Sequence, residues 1–91
     1  MTPAQRHMGR IKAMPCICCR LLEMPQTKPT DVHHLREDRE PRNDWLTIPL
    51  CWYHHQGRFG IHGDKSVLRM LKTSELGLLA KVIEELTCES H

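Results

Sequence analysis

The sequence predicts a small α+β domain that depends on a structural metal ion for its stability. Ninety-one residues form a single domain whose apolar core is small for unassisted folding. Two ligand pairs, each with a two-residue gap, have the spacing of a four-ligand zinc site. Helix-type and strand-type apolar patterns occupy separate stretches. We therefore expect one domain over residues 1–91, with an N-terminal helix (1–14), a zinc knuckle and ββ-metal core (15–64), and two C-terminal helices (65–88).

The first 14 residues carry the signals of an amphipathic helix. Thr2 is a suitable N-cap, Pro3 suits the first helical position, and Gln5 completes a capping box. Apolar side chains then recur on one face until Pro15 ends the helix. We expect this helix to dock its apolar face on the rest of the domain.

Cysteine spacing predicts a structural Zn²⁺ site. Cys16 and Cys19 form one half-site, and Cys51 and His54 form the other. The stretch around the first pair is too crowded for a regular element, so we expect a tight knuckle whose backbone amides face two thiolates. Cys18 is the spare thiol. The four ligands make a closed Cys₃His set that tethers the N-terminal segment to the second strand.

Two short apolar stretches, residues 31–35 and 46–50, predict an antiparallel ββ ribbon. Successive side chains of a strand point to opposite faces, so His33 and His34 diverge. One of them can hold a metal while the other faces the substrate. The ribbon also brings this pair next to His55, which follows the second strand.

The charged connection between the strands, residues 36–44, has two interpretations. Its default interpretation is a solvated turn. The alternative is a mobile loop whose Arg36, Arg39 and Arg42 neutralise phosphates, with Arg58 further along the chain as a fourth candidate for such contacts.

Four histidines remain once the structural site is filled: His33, His34, His55 and His62. Histidines can hold a second, open metal site, and a separate neutral imidazole can act as general base in hydrolysis. A competing interpretation is a second structural zinc completed by Cys18 or Asp31. Three glycines within residues 57–63 predict turns around the last histidine of the four.

The C-terminal part predicts two helices. The first begins near residue 65, with Asp64 or Ser66 as its cap. The second follows Ser74 and has an apolar stripe that we expect to be mostly buried: Leu76, Leu79, Val82, Ile83 and Leu86. Any exposed part of this stripe would permit a homodimer as well as a monomer.

Composition limits the class of protein. The formal net charge is +2, and residues 1–42 carry eight Lys/Arg against five Asp/Glu, which permits a polyanionic partner. The sequence shows neither a signal peptide nor an apolar run that could span a membrane. An odd count of five cysteines with metal-type spacing suits a reducing compartment, so we expect a cytoplasmic protein.

The ordered motifs Cys-x-x-Cys, Val-His-His-Leu and Leu-Cys-x-x-His-His resemble the HNH, or ββα-metal, nuclease superfamily with its zinc knuckles. More narrowly, Thr-Ile-Pro-Leu-Cys-Trp-Tyr-His-His-Gln-Gly (residues 47–57) and Ile-His-Gly (residues 61–63) are similar to the phage Ref (recombination enhancement function) nucleases. Members of that family cut DNA in dependence on the RecA filament. The resemblance covers roughly residues 15–64.

The resemblance implies roles for individual residues. It makes His33 a ligand of the catalytic metal, His34 the general base, and His55 and His62 further ligands. It also makes DNA and a RecA filament the partners, in a bacterial or phage-infected cell. The ligand chemistry of a histidine-rich site leaves the catalytic cation open among Zn²⁺, Mn²⁺, Ni²⁺, Co²⁺ and Mg²⁺.

The central Asn of the HNH name has no clean equivalent in this chain. Thr47 lies near its place, and Asn43 lies further upstream. Our expectation is a metal-dependent HNH-type endonuclease of phage or prophage origin. The alternatives are a non-catalytic zinc module that recognises DNA or a protein, and an inactive HNH relative kept as a structural subunit.

Overall fold

The α+β class is confirmed by a computed structural model, which describes residues 1–36 and 41–88. The elements follow in the order α1 (Pro3–Ala13), α2 (Ile17–Leu21), β1 (Thr30–His34), β2 (Thr47–Cys51), α3 (Trp52–His55), α4 (Ser66–Leu71) and α5 (Glu75–Cys88). In these ranges no helix is long and apolar enough to cross a membrane.

The two strands form the predicted antiparallel ribbon. Their register pairs His33 with Ile48 and His34 with Thr47. Every residue of β2 is buried, whereas β1 is mostly half-buried, because helices pack around β2. The strand that leads into the candidate ligands on α3 is therefore the centre of the core.

The N-terminal helix forms as predicted. The Thr2 Oγ1 accepts the Gln5 backbone N–H at 3.1 Å, and the Gln5 Oε1 accepts the Thr2 N–H at 2.8 Å. Ile11 is fully buried against the core, and the Lys12 Nζ donates to the Thr30 carbonyl at 3.2 Å. Helix α1 is thereby fixed to β1.

The prediction that no regular element forms around the first cysteine pair was wrong. Cys16 is the N-cap of the short helix α2, and its Sγ accepts the Cys19 backbone N–H at 3.4 Å. A sulfur acceptor at the N-cap satisfies one of the amides that a helix start leaves free. The knuckle is thus the first turn of a helix.

The C-terminal helices form, but the buried face of α5 differs from the predicted stripe. Leu78, Leu79 and Val82 are buried, whereas Leu76 and Ile83 are 64% and 52% exposed. Helix α5 packs on β2 and α2 along one side, and this small core covers only part of its apolar circumference. Ahead of α4, Lys65 is the N-cap with φ of 61°.

Neither of the two residues predicted to cap α4 is its N-cap, because Lys65 occupies that position. The Asp64 Oδ1 accepts the Ser66 backbone N–H at 2.8 Å. The carboxylate thus satisfies an amide in the first turn, although the N-cap residue itself makes no side-chain cap.

Candidate functional site

The four predicted zinc ligands come together in the core. All of them are buried, and their ligand atoms lie within 4.8 Å of one another. The His54 Nδ1 lies 3.5, 3.5 and 3.4 Å from the sulfurs of Cys16, Cys19 and Cys51, and the Cys19 and Cys51 sulfurs are 3.7 Å apart. Around a tetrahedral Zn²⁺, sulfur and nitrogen would be about 3.6 Å apart and two sulfurs about 3.8 Å apart. The donor set therefore fits zinc.

Electrostatics also favour a cation at the Cys₃His cluster. A hydrogen bond from the Cys18 thiol lowers the pKa of Cys16 to about 3. Burial raises the pKa of Cys19 and of Cys51, and the negative charge of the Cys16 thiolate raises both further. Both effects disfavour additional thiolates. A divalent cation would offset these costs and allow three thiolates to coexist.

The spare thiol of the knuckle is buried inside the same cluster. Cys18 is fully buried, and its hydrogen bond to Cys16, together with burial, raises its own pKa. It therefore stays a neutral donor beside a thiolate. This contact gives the thiol a supporting role next to the ligands.

A second group of candidate ligands combines His33 from β1, His55 from α3 and His62 from the loop after α3. Their ring centroids are 4.8 to 5.2 Å apart, and each offers a nitrogen within 4.8 Å of the others. Burial lowers the pKa of His33, which favours the neutral form that binds metal. Because His62 is exposed, this histidine triad is open on one side. An open three-ligand set is typical of catalytic metal sites.

Hydrogen bonds from the loop to α3 place His62 in the triad. The Ile61 N–H donates to the His54 carbonyl at 2.9 Å, and the His62 N–H donates to the His55 carbonyl at 3.0 Å. A Cβ on Gly60 would lie 2.4 Å from the His54 carbonyl oxygen. Only glycine allows this close approach of the loop to the helix.

Two of the three histidines of the triad are paired with carboxylates. The Glu75 Oε1 lies 2.6 Å from the His33 Nε2, and the Asp31 Oδ2 lies 3.1 Å from the His55 Nδ1. Such carboxylates fix the tautomer and orientation of a metal-binding imidazole. The sequence analysis missed Glu75, because no local spacing links residues 42 positions apart. It named Asp31 only as a candidate ligand.

His34 lies outside the triad and has a carboxylate partner of its own. The Asp44 Oδ1 is 2.9 Å from the His34 Nε2, and the Arg42 Nε is 3.1 Å from the same nitrogen. This nitrogen cannot donate and accept at once. The Arg42 Nε–H could donate only to an unprotonated Nε2, whereas the carboxylate needs an Nε2–H. The shorter contact, to the carboxylate, favours Nε2–H as the donor and Nδ1 as the proton acceptor, and the Arg42 Nε then pairs with the Asp44 Oδ1 at 3.7 Å.

Two residues were considered as equivalents of the central Asn, namely Asn43 and Thr47. Within the part of the chain that the structure describes, neither side chain forms a hydrogen bond with His34. The Asn43 Oδ1 accepts the Trp45 backbone N–H at 2.9 Å, and the Thr47 Oγ1 donates to the Asp44 carbonyl at 3.2 Å. Both side chains shape the turn before β2. In this turn the Asp44 carboxylate contacts the imidazole instead.

The four arginines predicted to contact phosphate are placed differently. Arg36 and Arg42 line a cavity of about 740 Å³, which Asp44 and Glu75 also line. The Arg58 guanidinium lies over the Phe59 ring, 5.5 Å from its centroid, and does not line this cavity. Arg39 lies outside the described residues.

Comparison with protein families identifies a match over most of the chain. Residues 2–87 match the family model described as "Recombination enhancement, RecA-dependent nuclease". The chain belongs to this family of RecA-dependent nucleases. Membership implies DNA and RecA as partners and a function in recombination enhancement. Searches of curated proteins and of solved structures found no match.

Proposed function

We propose that this family member is an HNH-type, metal-dependent endonuclease that hydrolyses DNA phosphodiester bonds. In this proposal β1, β2 and α3 are the ββα-metal unit, and the Cys₃His cluster holds a structural Zn²⁺. The observation that carries the proposal is the convergence of three histidines from separate segments, with the neighbouring His34 held by a separate carboxylate. Single-domain organisation, a phage or prophage origin and a cytoplasmic location remain predictions from the sequence.

The histidine triad would hold the catalytic cation. His33, His55 and His62 supply three imidazole nitrogen donors, which suit Zn²⁺ or Ni²⁺ better than Mg²⁺. When bound, the cation supplies Lewis-acid stabilisation of the charge that develops on the phosphate and on the leaving oxygen. The Glu75 and Asp31 carboxylates hold two of the rings in place.

His34 is the proposed general base. Its Nε2–H donates to Asp44, so its Nδ1 is free to take a proton from the water that attacks phosphorus. As the new phosphorus–oxygen bond forms, the bond to the leaving oxygen breaks. Asp44 stabilises the imidazolium that results, because its carboxylate stays in contact with the protonated ring.

Arg36 and Arg42 are the arginines best placed to bind the DNA backbone. They line the same cavity as the two carboxylates that contact His34 and His33. Guanidinium groups bind phosphate oxygens through paired hydrogen bonds. Such contacts position DNA without reading its sequence. Roles for Arg39 and Arg58 remain predictions.

Substitution of His34 tests the proposal. His34→Gln should lower plasmid cleavage at least about 100-fold, because a general base contributes roughly that factor or more. The assay uses RecA filaments on single-stranded DNA with each candidate cation added. Zinc content and thermal unfolding should stay unchanged. The control is His7→Gln, since His7 packs on Trp45 and lies outside both ligand groups.

Two results would contradict this assignment. Full cleavage by the His34→Gln protein would exclude His34 as the base. If the wild-type protein cut no DNA with any cation, with or without RecA filaments, a non-catalytic zinc module would be the better description.

A further inference from the structure

We propose that the cleft beside Trp52 binds an unstacked nucleobase of the DNA strand that enters the histidine triad. This cleft, here called the Trp52 cleft, is lined by Lys28, Pro29, Asp31 and Trp52 and has a volume of about 430 Å³. The inference rests on the proposed function and names its substrate more closely: a single-stranded or locally unpaired segment.

The Trp52 cleft adjoins the triad through Asp31. Trp52 and His55 are three residues apart on α3, so they share one face of the helix. Asp31 lines the cleft and also contacts the His55 Nδ1 at 3.1 Å. A nucleotide in the cleft would therefore be a near neighbour of the phosphate at the triad.

The chemistry of the walls suits a nucleobase. The side chain of Trp52 is half exposed, although α3 begins directly after a fully buried strand. Aromatic rings with a nearby cation bind single-stranded nucleic acid, because bases stack on the ring and phosphates meet the charge. Here Lys28 supplies the positive charge, and Pro29 adds a flat apolar wall.

The occupant must be an unstacked base, because the bases of an intact duplex cover one another's faces. An indole can reach a base face only in a single strand or after the base has left the stack. The Asp31 Oδ2 is engaged by the His55 Nδ1 at 3.1 Å, and the positive charge of Lys28 in the same cleft offsets the charge of the carboxylate.

Trp45 provides a matched control for Trp52. The chain contains two tryptophans, and their exposure is nearly equal: Trp45 is 52% exposed and Trp52 is 50% exposed. Trp45 packs against His7, with ring centroids 5.0 Å apart, and does not line the Trp52 cleft. Each tryptophan can therefore be replaced in turn, and the remaining one reports on its own surroundings.

The test is a fluorescence titration with an oligothymidylate, without added catalytic metal so that no cleavage interferes. In the Trp45→Phe protein the remaining tryptophan is Trp52, and its fluorescence should be quenched when the oligonucleotide binds. In the Trp52→Phe protein the fluorescence of Trp45 should change little. Trp52→Ala should weaken oligonucleotide binding about ten-fold, with zinc content unchanged. A duplex of matched length should quench Trp52 less than the single strand does.

The outcomes separate this inference from the proposed function. Equal quenching of both tryptophans, or unchanged binding by Trp52→Ala, would overturn the base site even if the protein cuts DNA. Selective quenching of Trp52 would support the base site even if no variant cuts DNA, in which case the hydrolytic role alone would fail.

Discussion

At the residue scale, the catalytic candidates depend on their partners as much as on themselves. His34 and His33 are neighbours in β1, yet Asp44 holds one and Glu75 holds the other. The two carboxylates come from different segments, so each imidazole is fixed independently. This arrangement allows adjacent histidines to perform different tasks.

Glu75 offers a direct test of this support. Glu75→Gln should weaken metal binding by the triad about 10- to 100-fold, the usual effect of losing a carboxylate behind a ligand. Titration of zinc-loaded protein with Co²⁺, followed by absorption, measures this affinity without any cleavage assay. Glu84→Gln is the control, because Glu84 lies on the same helix with its side chain 63% exposed. Equal affinities for the two variants would show that Glu75 does not support the site.

At the element scale, the loop between α3 and α4 is as important as the helices. Backbone N–H groups of this loop donate to α3 carbonyls, and these hydrogen bonds place His62 beside the other two histidines of the triad. A Cβ on Gly63 would lie 2.2 Å from the Arg58 carbonyl oxygen and 2.4 Å from that of Gly57. The loop therefore closes on itself too tightly for any side chain at this position.

Two glycine substitutions test the loop. Gly63→Ala should destabilise the protein by about 2 kcal/mol or more, because backbone atoms must move to admit the Cβ. In contrast, Gly9→Ala should stabilise it by about 0.5–1 kcal/mol, since Gly9 lies inside α1 with nothing within 4 Å of its Cβ position. Urea unfolding of the zinc-loaded proteins measures both values. Unchanged or increased stability of the Gly63→Ala protein would show that the loop tolerates a side chain.

At the scale of the whole molecule, the Cys₃His cluster joins distant parts of the chain. Its ligands come from the N-cap of α2, from α2, from the end of β2 and from α3. The Arg20 Nε contacts the Glu85 Oε1 at 2.5 Å and ties α2 to α5 as well. A metal at this cluster would therefore stabilise the packing of most elements at once.

Removal of zinc should consequently unfold the domain. We expect a strong chelator, or Cys51→Ser, to abolish the cooperative thermal transition, because structural zinc binding is coupled to folding in small domains. Circular dichroism with metal analysis checks this. Cys88→Ser is the control, since Cys88 is exposed near the end of α5. A chelated protein that kept its transition would show that the apolar core suffices alone.

The sequence by itself determined what depends on local spacing. Two-residue gaps defined the cysteine half-sites, strand alternation separated His33 from His34, and the capping box placed the start of α1. Each of these follows from the geometry of a few consecutive residues, which needs no knowledge of the rest of the fold. The helical first turn at the knuckle was missed, because a cysteine sulfur is an unusual cap.

Only the tertiary structure decided which distant groups meet. Glu75 reaches His33 because α5 packs on β2, and the same packing leaves Leu76 and Ile83 in solvent. Asp44 rather than Asn43 faces His34, since the turn before β2 uses the Asn43 amide for its own backbone. Such contacts result from how whole elements pack together. Sequence periodicity specifies the apolar face of an element but not the neighbour that its polar residues will contact.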